Sequence, residues 1–100
     1  MMKVRIDGID YPCRSMMGAM LRYKHETGSD ISEMKAGQIV EAVTWIWCCV
    51  AASCVADGIE FKLSLQDFAD RVSADDFARL MDGLAAEQGG QKKTQGAHQQ

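Results

Sequence analysis

The sequence is short of most things that announce a chemistry. It contains no Cys-x-x-Cys pair, so neither a zinc knuckle nor a thioredoxin-like dithiol is encoded. It contains no G-x-S-x-G, no P-loop and no H-E-x-x-H. Histidine is confined to His25 and His98, and neither stands at a catalytic spacing from a thiol. A small thiol enzyme using Cys48, Cys49 or Cys54 would require a depressed thiolate pKa, which slow iodoacetamide labelling of the native protein would rule out. The chain is therefore not expected to be an enzyme, nor to hold a cofactor or metal. Basic residues are also few: eleven Lys and Arg against fourteen Asp and Glu give a net charge of −3. That sign does not suit a chain that wraps nucleic-acid phosphates, so no nucleic-acid partner is expected. The start of the chain places Lys3, Arg5 and Asp7 where a signal peptide has its apolar h-region, and a cytoplasmic location is the expectation.

What is present is an ordinary globular composition, 47% hydrophobic and 25% charged over 100 residues. One domain of this size buries about 65% of its unfolded surface, enough for a core without disulfide or metal staples. Cys48 and Cys49 are adjacent, Cys54 follows on the same helical run and Cys13 stands apart. Such spacing does not meet disulfide geometry, so buried free thiols in a reducing compartment are expected. Charge is unevenly spread. Residues 1–50 balance, residues 51–87 carry a net −5 and the last thirteen carry +2.

Val4 and Ile6, then Ile9 and Tyr11, alternate around Asp7-Gly8, the pattern of a β-hairpin closed by a type I′ turn. Strands are predicted at about 3–6 and 9–13, with Pro12 at an edge or end. Ser15 is expected to cap a helix running to about Thr27, and Gly28 to end it. Met16, Met20, Tyr23 and Thr27 share one stripe of that helix. A Met-rich stripe reads either as gap-filling core or as an adaptable binding surface. Residues 59–63 alternate as a short extended piece. Ser64-x-x-Asp67 and Ser73-x-x-Asp76 then signal two capped helices at about 65–72 and 74–87. From Gln88 the chain has no large apolar residue, and 88–100 is predicted to be a disordered polar tail behind a single globular domain, 1–87.

The dominant feature is QIVEAVTWIWCCVAASCVA, residues 38–56, with no charge after Glu41 for fifteen residues. Discounting Gln38 and Glu41 leaves it short of the roughly 20 apolar residues of a membrane span, so no membrane is expected. A soluble helix that is apolar all round needs cover on every side. Ile39, Val43, Ile46 and Val50 form one stripe, Val40, Trp47, Ala51 and Val55 a second, and Ala42, Trp45, Cys49 and Ala56 a third. One hairpin, one earlier helix and one later stretch barely suffice to cover three stripes. Part of this helix is therefore expected to meet another protein or another copy. Trp45, Ile46, Trp47 and Val50, with Met16 and Met20 of the preceding helix, are the candidate protein-binding residues. The expected fold is α+β, mainly α: an N-terminal β-hairpin followed by a small bundle of about four helices, the second long and apolar.

The order of these elements is itself informative. V-x-I-D-G-x-x-Y (Val4 to Tyr11) leads to a helix ending R-Y-x-x-E-T-G-x-D-I (Arg22 to Ile31), then the apolar helix, then F-x-L-S-x-x-D-F-A-D (Phe61 to Asp70) and a capped acidic helix. Over about residues 3–93 the chain resembles the tail assembly chaperones of long-tailed bacteriophages and prophages. The resemblance implies a non-enzymatic protein that binds the extended, apolar tape-measure protein, keeps it soluble, helps recruit the tail-tube protein and is absent from the finished particle. It also implies a longer frameshifted form in many members, with which Lys92-Lys93 is compatible. The alternative is a structural or adaptor subunit of a phage tail that remains in the particle. Self-association is expected in either case.

Overall fold

Asp-Gly at the hairpin tip takes positive φ at both positions, 53° at Asp7 and 81° at Gly8, as a type I′ turn requires. The computed structural model describes residues 2–96, with side chains through Glu87. In it, β1 (Met2–Ile6) and β2 (Ile9–Cys13) pair antiparallel in the register Ile6 with Ile9, Val4 with Tyr11 and Met2 with Cys13. Alternation puts Val4, Ile6, Tyr11 and Cys13 into the core and Lys3, Arg5 and Asp10 outside. Pro12 faces Lys3. Counted from the Ile6–Ile9 closure this is a non-hydrogen-bonded pair, so the missing N–H costs the ladder nothing.

Four helices follow among the described residues: α1 (Met17–Thr27), α2 (Ile39–Asp57), α3 (Leu65–Arg71) and α4 (Ala74–Gly96), with one 3-10 turn at Ile31–Glu33. The fold is thus α+β and mainly α, with α2 long and apolar. Ser64 accepts from the Asp67 N–H and Ser73 from the Asp76 N–H, both at 3.1 Å, so both expected caps are made. Gly28 (φ 79°) ends α1. Gly58 (φ 71°) ends α2, where the Ile59 N–H reaches back to the Cys54 carbonyl at 2.8 Å in a Schellman closure. Helix α4 continues past residue 87. The expected polar tail, 88–100, falls on residues whose side chains lie outside the described part, as does the backbone from 97.

Two expectations change. Ser15 does not cap α1. Met16 occupies the cap position without a side-chain bond, while the Ser15 N–H donates to Glu87 Oε1 at 3.3 Å. The cause is tertiary: the preceding Arg14 N–H is held by Ser53 Oγ on α2 at 2.9 Å, which fixes the chain before a helix can begin. Residues 59–63 make no ladder; their alternation serves packing instead, with Phe61 and Leu63 turned inward and Glu60 and Lys62 outward.

The core lies where the hairpin, α1, α3 and α4 close on α2. Tyr23 meets Trp45 edge to face at 6.1 Å. Tyr11, Phe61 and Phe68 form a train of edge-to-face rings, at 5.2 Å and 6.4 Å, that ties the connector after α2 to the hairpin and to α3. Charged side chains fasten the periphery. Arg14 donates twice to Asp57, at 2.9 Å and 3.1 Å; Arg71 reaches Asp7 at 3.1 Å; Arg79 donates to the Lys3 carbonyl at 2.9 Å. By its length and composition α2 is apolar enough to cross a bilayer, which the shorter uncharged run did not indicate. Within the fold 56% of it is buried, as in a core helix.

Phe68 is the only buried side chain of α3, and its ring closes the aromatic train at that end. Phe68→Ala is expected to cost about 3–5 kcal/mol in urea unfolding, and a loss under about 1 kcal/mol would show that α3 is not fastened this way. Asp57 is held below the ordinary carboxylate value of 3.8 by its hydrogen bonds to Arg14. A carboxylate whose folded pKa is depressed stabilises the fold fully above its unfolded pKa and loses that contribution as pH falls through the folded one. Thermal stability is therefore expected to drop between about pH 5 and pH 2. Asp57→Asn is expected to flatten part of that drop.

Candidate functional site

Apolar periodicity built α2 with three apolar stripes, and the fold covers most of two of them. α1 packs along one side, with Gly18 beside Ala52 at a spacing where an added Cβ would sit in ordinary van der Waals contact, 3.6 Å from Ala52 Cβ. The hairpin covers the side bearing Ile46, Cys49 and Val50, all fully buried. Ser53, also buried on that side, accepts from Arg14 and donates to the Cys49 carbonyl at 2.7 Å, so its hydroxyl is satisfied. The connector after α2 covers a third direction: Trp47 Nε1 donates to the Leu63 carbonyl at 3.0 Å.

What stays open is a stripe through Val40, Val43, Trp47, Ala51 and Val55. Val40 is 73% and Val55 68% exposed, while Val43, Trp47 and Ala51 are half-buried between them. Beside it on α1 stands Leu21 at 72% exposure, with Met17 one turn earlier. Two shallow grooves flank the stripe. One, about 340 Å³, lies against α1 between Leu21, Arg22, Trp47 and Ala51. The other, about 260 Å³, lies against α3 between Val40, Val43, Leu65 and Ala69. Thr44 is buried beneath that second groove and spends its hydroxyl on the Val40 carbonyl at 2.8 Å, so it adds no unpaired donor there.

The candidate protein-binding residues therefore divide. Trp45, Ile46 and Val50 are at most 2% exposed and belong to the core; they face α1 and the hairpin and present nothing to a partner. Met16 and Met20 are half-buried against the same core, the gap-filling reading of the methionine stripe, and Met16 Sδ lies 3.9 Å from Ser53 Oγ. Trp47 alone of the six borders the open surface. Val40, Val55, Leu21 and Ile39 were not singled out. The second stripe held Val40, Trp47, Ala51 and Val55 together, and the signal that it stays open is steric. The buried sides carry the small residues Ala42, Cys48, Cys49, Ala52 and Ser53 that let neighbours approach, whereas the open stripe ends in valines at both extremities.

The four cysteines are free and buried. Burial pushes the Cys48 thiol up to about 12, the nearby Glu26 adding to it. Cys49 is raised by burial and by its hydrogen bond with Cys13, and Cys54 by burial and by Asp57. None sits in the electropositive, exposed setting of a reactive thiol. Among the described residues, no group of three or more His, Cys, Asp or Glu is placed to hold a metal ion.

A thiol moved from 9.0 to about 12 has roughly a thousandfold less thiolate near neutral pH. Native protein is accordingly expected to take up iodoacetamide at Cys48 orders of magnitude more slowly than urea-unfolded protein, and more slowly at Cys49 and Cys54 as well. Rapid labelling of any one of them in the native state would contradict its burial. Compared with protein-family models, with curated proteins and with solved structures, the chain matches none.

Proposed function

We propose that this chain is a non-enzymatic tail assembly chaperone of the long-tailed phage kind. It binds the tape-measure protein, holds it in solution and assists assembly of the tail tube. The observation that carries the reading is the open apolar stripe of α2, with Leu21 of α1 beside it. A long, apolar, helical client presents anchors at i, i+3, i+4 and i+7, and a stripe flanked by two grooves is the complementary shape for one helix face. The absence of charge between Glu41 and Asp57 means that a client helix displaces water without stranding an ion. The buried, protonated thiols support a binding role over a thiol chemistry. The element order quoted above supplies the rest of the support.

Co-expression is expected to raise the soluble fraction of a tape-measure product encoded beside this chain and to co-purify the two. Leu21→Glu and Val40→Glu each place a charge on an exposed position without removing a core contact. Each is expected to weaken co-purification by roughly 5- to 100-fold, the range of an interface anchor lost. Retention of the client by both variants would defeat the reading. Mass spectrometry of finished particles separates a chaperone, which is absent, from a tail subunit, which is present.

A further inference from the structure

We infer that the open stripe of α2 is also an interface between two copies of this chain, packed antiparallel about a two-fold axis near Trp47. This stands on the stripe itself and not on the chaperone reading. The first argument is register. The open positions Val40, Val43, Trp47, Ala51 and Val55 are spaced 3, 4, 4 and 4 residues apart, which is almost the same read backwards. In an antiparallel pair whose axis passes between Trp47 and Cys48, Val40 lies level with the partner's Val55, Val43 comes within one residue of the partner's Ala51, and the two Trp47 rings flank the axis. Every open position thus finds another open position, the condition for an isologous contact. The partner's Val55 arrives at the groove between Val40, Leu65 and Ala69, which has room for it.

The second argument is area. An aliphatic side chain offers roughly 60–120 Å² of apolar surface when buried. Ile39, Val40, Val55, Leu21 and Met17, at 60–73% exposure, offer on the order of 300 Å² together. With the usual non-polar share of an interface, a little over half, that corresponds to about 600 Å² per copy, the lower edge of a standard-size contact. The third argument is charge. The α1 rim of the groove bears Arg22 and Glu26, one of each sign, so the rim of one copy offers no net repulsion to the other. The tail of this chain is not an alternative occupant, because residues 88–100 contain no valine, leucine, isoleucine, methionine or aromatic residue.

The test is sedimentation equilibrium of the purified full chain over about 5–200 µM, the range that resolves a contact of this area. A reversible monomer–dimer equilibrium is expected. Val40→Glu and Val55→Lys are each expected to weaken it at least tenfold, with the circular dichroism melt unchanged. The double variant Val40→Glu/Val55→Lys is expected to recover the dimer, because antiparallel pairing sets each glutamate against the partner's lysine. The two positions are fifteen residues apart on one helix, about 22 Å, so they do not neutralise each other within a chain. A wild type that stays monomeric at 200 µM overturns the proposal. So do single variants that dimerise as the wild type does, or a double variant no better than either single.

Discussion

A helix with no charged residue from Ala42 to Ala56 resists wetting on every side, and this constraint decides where the other elements go. α1 lies along one side, with Gly18 against Ala52. The hairpin lies along another through β2, where Cys13 is hydrogen-bonded with Cys49, while β1 packs on α4. The connector from Ile59 to Leu63 closes a third, pinned by the Trp47 bond to Leu63 and by the ring contacts of Phe61. α3 and α4 touch α2 less extensively than α1 and β2 do. They complete the core from behind, through Phe68, Leu80 and Leu84, and brace the hairpin through Arg71 and Arg79. A two-stranded hairpin is marginal alone, so its stability is borrowed from this contact with α2.

The cysteines fit the same logic. Cys48, Cys49 and Cys54 are small, apolar when protonated and compatible with a helix, so they permit close approach of neighbouring backbone without leaving an unsatisfied donor of consequence. Burial then keeps them protonated, which keeps them inert. Ser53, the one polar side chain fully buried in this part of the helix, joins the Arg14 N–H to the Cys49 carbonyl and fixes where β2 hands over to α1. That bond competes with the expected Ser15 cap: a local capping preference worth about 1 kcal/mol yields to a half-buried hydrogen bond and the exposed ion pair next to it.

Signals that act within a few residues were legible in the sequence. The Asp7-Gly8 turn, the caps at Ser64 and Ser73, the terminal glycines Gly28 and Gly58 and the extent of α2 all follow from backbone chemistry local to them. The site was legible only in part, because a helix apolar all round has a weak directional signal. Three stripes were visible, and choosing the one left open depends on which neighbours arrive from elsewhere in the chain. Trp45 is a large residue typical of interfaces, yet its ring is the one that packs on Tyr23, so it forms the core. Trp47, two residues on and rotated by about 200°, reaches the boundary between connector and solvent. The alternation at 59–63 misled in the other direction, since period-two burial arises in any extended chain laid on a core, paired or not.

Four valine, isoleucine and leucine side chains more than half exposed on one surface are expensive for a chain of 100 residues to keep in water. Substituting them with charged residues at the same positions would leave the core intact, since none of them is buried. Folding therefore does not require their apolar character. Nor is the pattern a defect of packing, because Thr44, a hydroxyl that lines the groove, is buried with its polar group tied back to the helix, so the groove floor is finished as an apolar surface. Hydrophobicity retained where the fold has no use for it is what an association surface looks like. The two occupants proposed for it, an apolar client helix and a second copy of α2, answer the same physical demand, and by sharing one stripe they exclude each other.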